Sequence, residues 1–195
     1  MRLRILGGWS LIVAGLTLLL RLLVGAIVNG DVPPILLGMD EILSLLFLLG
    51  LPAIQATQPH TGRRGQIGLW CLGLAAGLAF IVRAIVLMST IDIGVAVPFI
   101  SALLALTGSV LVGWVTIQAR IFSSVVGWLL IAGGLLNFVG GLTPTGAITT
   151  ALGVIGVLAQ AGAEIGYGWG IVSRARGRLP SVPNAPADAI TGTSM

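Results

Sequence analysis

The sequence predicts an all-α polytopic membrane protein, a six-transmembrane-helix bundle, and three observations predict it. Of the 195 residues 56% are hydrophobic and only 8% charged, with a mean hydropathy of +1.09, whereas a soluble domain carries about a quarter charged residues. Apolar residues gather in long runs of roughly 20, the length that crosses a hydrocarbon core of about 30 Å. The arginines outside those runs all fall on one side of the alternating topology that the runs define. Lipid leaves helices and closed barrels as the only ways to satisfy backbone groups. Barrel strands would show about ten residues of alternating polarity. These runs are continuously apolar and twice that length, so they are helices.

The first run, 8–28, follows Met1-Arg2-Leu3-Arg4. It outlasts the roughly 7–15 residues of a secretion-signal core, contains Arg21 and lacks a small-x-small cleavage site, so it reads as an uncleaved span. Asn29-Gly30-Asp31-Val32-Pro33-Pro34 then breaks the chain before the second run, 36–56. Gln58-Pro59-His60-Thr61-Gly62-Arg63-Arg64-Gly65 precedes the third, 67–89, and Ser89-Thr90-Ile91-Asp92 the fourth, 95–117. Gln118-Ala119-Arg120 leads to the fifth, 122–142, and Thr143-Pro144-Thr145-Gly146 to the sixth, 147–172. Each break carries turn chemistry. The links are short, so consecutive helices are antiparallel neighbours, and residues 1–176 form one membrane domain. Residues 177–195, with Pro180, Pro183 and Pro186 and no apolar period, read as a disordered cytoplasmic tail.

With the N-terminus inside, the cytoplasmic segments hold Arg2, Arg4, Arg63, Arg64, Arg120, Arg174, Arg176 and Arg178, while the outer loops hold Asp31 and Asp92. Both termini are therefore expected in the cytoplasm. Trp9, Trp70 and Trp128 begin odd runs and Trp114 and Trp169 end even ones, which places all five at the same interface, where amphipathic rings anchor helices. The net charge of +4 is accounted for by this bias, and nucleic acid is not expected as a partner. The odd runs also echo one another. Ala14-Gly15-Leu16-x4-Arg21 matches Ala76-Gly77-Leu78-x4-Arg83, and Ala132-Gly133-Gly134-Leu135 follows the pattern with Gly140 at the arginine position. A period of about 60 residues fits three helical hairpins, an arrangement that chance matches in low-complexity apolar sequence also produce.

Charges inside spans are the candidate functional residues, because a central Arg or Asp costs roughly 2.5–3.5 kcal/mol on insertion scales. At a rise of 1.5 Å per residue, Arg21 lies roughly 20 Å and Arg83 roughly 24 Å from the inner edge. Asp40 and Glu41 lie about a turn into the second run, so all four belong to the outer third of the membrane. Three readings stand: structural ion pairs, arginines snorkelling to headgroups with the acids favouring a helix N-terminus, and a polar cluster that holds an anion or relays protons. Glu164 stands in the sixth run with no arginine at its depth. Gln160 shares its helix face, and the glycine stripe Gly162-x3-Gly166-x3-Gly170 lies on another. Glu164 with Gln160 is thus a candidate proton site, and the plain alternative is a carboxyl hydrogen-bonded to a neighbouring helix.

The remaining polar residues carry less. Asn137, Thr107 and Ser109 read as interhelical contacts. Cys71 is the single cysteine, which excludes an intrachain disulfide, and it reads as a buried inert thiol. His60 is the single histidine, so no metal site and no cofactor is expected. No nucleophile, base or P-loop motif points to an enzyme.

The passage from Leu49-Gly50-Leu51-Pro52-Ala53-Ile54-Gln55-Ala56 through Gly65-Gln66-Ile67-Gly68-Leu69 resembles the small six-pass bacterial membrane proteins grouped as domains of unknown function. The likeness covers the hydropathy of nearly the whole chain, has no diagnostic motif, and implies a bacterial plasma-membrane setting and no activity. The expected function is non-enzymatic binding of a lipid, a small amphiphile or a partner subunit, with membrane lipids and a partner subunit or second copy as partners. The rival is a small proton-coupled carrier using Glu164 and the Arg21/Asp40/Glu41/Arg83 cluster. A carrier requires a path joining that cluster to Glu164.

Overall fold

The computed structural model describes residues 2–27, 34–58, 62–88, 94–143 and 146–177. The side chains of residues 34–37, Asp40 and Leu87 lie outside that description, as do His60 and the expected disordered tail from Arg178 onward. The described chain is all helix and turn: α1 Arg2–Ile27, α2 Pro34–Thr57, α3 Gly62–Met88, α4 Ala96–Ala119, α5 Ser124–Leu142 and α6 Ala147–Ala175. Helices α1 and α3 to α6 are each long and apolar enough to cross a membrane, and α2 carries an apolar stretch over Glu41–Thr57. The helices extend past the apolar runs at the arginine-rich ends, α1 from Arg2 and α3 from Gly62. Backbone hydrogen bonding continues into the polar zone after the apolar side chains stop.

Each helix packs on its neighbours in sequence, and α6 returns to α1, so the six form a closed antiparallel ring, with α2 also touching α6 across its interior. The expected hairpins are thus arcs of one ring. We call the end where α1 begins and α6 finishes the terminal end, and the other the far end. Lipid chains are as apolar as leucine, so close packing rather than burial from water holds such helices together. Small residues mark the crossings. A Cβ on Gly113 would sit 2.6 Å from Gly127 O, and one on Gly127 would sit 2.6 Å from Gly113 O, so α4 and α5 touch backbone to backbone. The glycine stripe of α6 receives α5 and the turn before it: a Cβ on Gly166 would stand 2.6 Å from Val126 Cγ2 and one on Gly170 2.6 Å from Phe122 Cδ1.

The ring interior is solid over its terminal half. Leu11 of α1, Leu51 and Ile54 of α2, Leu69 and Leu72 of α3, Val112 of α4, Leu130 of α5 and Tyr167 and Ile171 of α6 form one buried cluster. The α4–α5 turn adds to it. Arg120 ends α4 in the left-handed conformation at φ 51°, Ser123 caps α5 by accepting from Val125 N, and between them Phe122 folds inward. Its ring meets Tyr167 edge-on at 5.0 Å, and the Arg174 guanidinium covers its other side at 5.0 Å.

Large apolar side chains are exposed along the helices, among them Leu16, Leu20, Leu49, Ile81, Leu103, Leu135 and Ile155. That is the surface of a protein solvated by lipid. All five tryptophans are also exposed, and all lie in the terminal halves of their helices. Arg176 stacks over Trp9 at 5.8 Å and ties the end of α6 to the start of α1.

Three smaller expectations change. Thr107 is exposed and its Oγ1 donates to Leu103 O of its own helix at 2.9 Å, so it is no interhelical contact. Cys71 is half-buried rather than enclosed. The repeated Ala-Gly-Leu letters also meet different surroundings. A Cβ on Gly15 would meet Ala161 O at 2.7 Å, whereas one on Gly77 would meet nothing within 4 Å.

Candidate functional site

The far half of the ring holds a partly open cavity of about 540 Å³, lined by residues of all six helices. Side-chain size creates it. α3 turns Ala75, Ala76 and Ala79 inward and α4 turns Ser101, Ala102 and Ala105, whereas Leu72 and Val112 fill the same two faces nearer the terminal end. Small residues on two facing helices leave volume that close packing otherwise removes. The cavity also lies where α2 and α3 make the sparsest contact of any adjacent pair. Along α3 it runs from Leu72 to Arg83 and along α4 from Pro98 to Ser109. Both spans correspond to a depth of roughly 16 Å.

Its walls are chiefly apolar, with Leu18, Leu43, Phe47 and Val82 beside the alanines. Its charged groups among the described residues stand at opposite ends. Arg83, half-buried, lines the far end. Glu164 lines the deep end, 5% exposed, about one turn above Tyr167. Because α6 runs from the far end to the terminal end, and helical side chains lean toward their own N-terminus, Glu164 leans back into the cavity. Gln160 Nε2 donates to its Oε1 at 3.1 Å. Its Oε2 is out of solvent and has no hydrogen-bond partner among the described residues. A buried polar atom left so costs about 1–3 kcal/mol, an expense with no structural return.

Directly beneath Glu164 the interior is closed by a polar knot. Thr116 Oγ1 donates to Val112 O at 2.8 Å, receives Gln58 Nε2 at 3.1 Å and meets Tyr167 Oη at 2.7 Å. A hydroxyl has one proton and two lone pairs. With its proton on Val112 O, Thr116 accepts from both others, so Tyr167 is the donor. All three side chains are 2% exposed or less. The knot joins the end of α2 to α4 and α6 at the level where the cavity stops.

The other sequence candidates are placed as follows. Arg21 lines a separate crevice of about 360 Å³ between α1 and α6, with Thr150, Gly153, Val154 and Val157. It therefore addresses a different volume from Arg83. Glu41 is half-buried on α2, with both carboxylate oxygens out of solvent, and the Asp40 side chain lies outside the described residues. Ser109 is buried against Gly134 at the deep end of the cavity. Asn137 lies beside Gly156 of α6, where an added Cβ would stand 3.0 Å from its Cγ. Among the described residues no three His, Cys, Asp or Glu side chains gather as metal ligands.

Sequence reasoning missed the cavity and the knot. The available signal for the first was Ser101-x3-Ala105-x3-Ser109, a second small-residue stripe at helical spacing. Small stripes announce helix contacts as readily as lined space, so spacing alone could not separate the two. No family model, curated protein or solved structure matches the chain.

Proposed function

We propose that the protein binds a small amphiphile in the central cavity and catalyses no reaction. The observation that carries this reading is the cavity itself: chiefly apolar walls among six helices, with a charged group at each end. Its volume of about 540 Å³ falls within the roughly 300–1,000 Å³ of small-molecule sites. The one-sided arginines and tryptophans support both termini in the cytoplasm, and the resemblance to small six-pass bacterial membrane proteins supports a bacterial plasma-membrane setting. In that orientation the cavity occupies the outer leaflet, and the sparse α2–α3 contact is the side from which a lipid-dissolved molecule enters.

Decanol is the simplest probe, an apolar chain with a neutral head. Purified protein in neutral micelles is expected to bind it saturably. Filling the site with Ala79→Leu and Ala105→Leu together should weaken binding at least tenfold while the protein stays folded. Equal binding by the filled protein would overturn the reading.

A carrier is the second reading, favoured because Glu164 and Arg83 line one continuous cavity that ends at a closed knot. It expects amphiphile-dependent proton movement into sealed liposomes that disappears in Glu164→Gln. Saturable binding without proton movement leaves binding alone.

A further inference from the structure

Resting on the binding reading above, we infer that the ligand's head is an alkylammonium, held by Glu164 at the deep end of the cavity, with its chain running toward Pro98 and Arg83. Three observations select that head. Glu164 is the one acid that lines the cavity among the described residues, and it lies at the end farthest from Arg83, so no cavity-lining cation among those residues neutralises it directly. Gln160 occupies Oε1 and leaves Oε2 out of solvent and without a protein donor among the described residues, and a small turn of the Glu164 side chain, which lines the cavity, presents that oxygen to a ligand head. The hydroxyls along the wall are weaker holders of the same head: Ser101 Oγ donates to Ala75 O at 3.0 Å and keeps its lone pairs, but it carries no charge. What Glu164 Oε2 lacks is a donor.

A neutral alcohol offers a donor, but an ammonium offers a donor and a positive charge that favours the carboxylate form of Glu164 over the neutral form that burial favours. Between walls of alanine and leucine that charge is little screened, and a charge-assisted bond is roughly twice as strong as a neutral one. Primary amines resemble lysine, whose ordinary pKa is about 10.4, so the head is charged at neutral pH. The chain then extends along the alanine faces of α3 and α4 over the roughly 16 Å depth of the site. The small residues that open the cavity and the acid that closes its floor thus serve one ligand.

The test compares decylamine, decanol and decanoate at pH 7.5 in neutral micelles, by isothermal titration, on wild-type protein and on Glu164→Gln. Wild type is expected to bind the amine at least tenfold tighter than the alcohol, and the carboxylate more weakly than either. Glu164→Gln should reduce the amine to the level of the alcohol and leave alcohol binding unchanged, which also reports that the site is still folded. If decanol binds and decylamine binds no tighter, the ammonium assignment is wrong and the binding reading stands. If decanoate binds tightest, the site is Arg83's and the assignment is equally wrong. If none of the three binds, the binding reading falls and takes this inference with it. The three-headgroup comparison on wild type needs no variant, so it decides the assignment even where Glu164→Gln does not fold.

Discussion

Replacing Thr116 by valine tests the knot beneath the cavity, because it removes one oxygen and keeps the side-chain shape. That oxygen accepts from two buried donors, Gln58 Nε2 at 3.1 Å and Tyr167 Oη at 2.7 Å. Both donors are 2% exposed or less, so neither can turn to water in place. Each orphaned donor costs about 1–3 kcal/mol by soluble-protein experience, and interhelical bonds in membrane proteins measure about 0.6 kcal/mol on average and up to 1.7. Two of them lost together give an expected destabilisation of about 2–3 kcal/mol. Tyr167→Phe removes only a donor and leaves Thr116 bonded to Val112 O and Gln58, so it should cost about 0.5–1 kcal/mol. Combining the two should be less damaging than their sum, and the double variant more stable than Thr116→Val alone, because deleting the tyrosine hydroxyl deletes one orphan. Reversible unfolding in mixed micelles reads all three values. Thr116→Val costing no more than Tyr167→Phe, or strict additivity, would refute the donor and acceptor assignment.

The other predictions concern packing, the acid and topology. Gly113→Ala drives a methyl to 2.6 Å from Gly127 O, so α4 and α5 must part by roughly 1 Å, at about 1–3 kcal/mol. Gly77→Ala has nothing within 4 Å and should be neutral or up to about 1 kcal/mol stabilising, as unfolding in micelles would show. Glu164→Leu removes an unpartnered buried oxygen but also the acceptor of Gln160 Nε2, so the two effects should offset to within about 1 kcal/mol of stability while the amine preference is abolished; a loss above about 2 kcal/mol would mean that the carboxyl is structural. In a Cys71→Ser background, Arg64→Cys should react with an impermeant maleimide only from the cytoplasmic face and Gly146→Cys only from outside, and the reverse pattern would invert the proposed orientation.

What was legible in the sequence was what depends on solvent. Lipid demands continuous apolar helices, so six runs and their turn chemistry located α1 to α6, and the short breaks made neighbours antiparallel. Tryptophan position followed for the same reason, because ring depth is set by the membrane and not by the partner helix. The boundaries erred toward the polar ends, where α1 already begins at Arg2 and α3 at Gly62, since hydropathy measures lipid and a helix is defined by its backbone bonds. Which helix face meets which was much less legible. Tyr167 gave no sign that its partner was Thr116, 51 residues earlier, because a ring closure is a long-range fact that no local period encodes.

The two copies of Ala-Gly-Leu-x4-Arg show why the site itself was harder to read than the fold. In α1 the glycine lies against the α6 backbone, and Arg21, two turns on, lines the α1–α6 crevice. In α3 the same glycine faces open space and Arg83 lines the central cavity. Identical letters therefore set the glycine against a helix in one place and against no neighbour in the other, while the two arginines line different spaces, and the difference lies in the neighbouring helices. Opposite Gly15 stands α6 with Ala161, whose carbonyl can approach. Around Ala76 and Ala79 stand Ser101, Ala102 and Ala105, none long enough to fill the gap. A cavity is thus a property of at least two helices at once, and an acid such as Glu164 becomes a candidate binding group only when such a space lies beside it. The arginine that first draws the eye in α3 marks the far end of that space, and the chemistry is expected at the other end, where a buried carboxyl oxygen has no protein donor among the described residues.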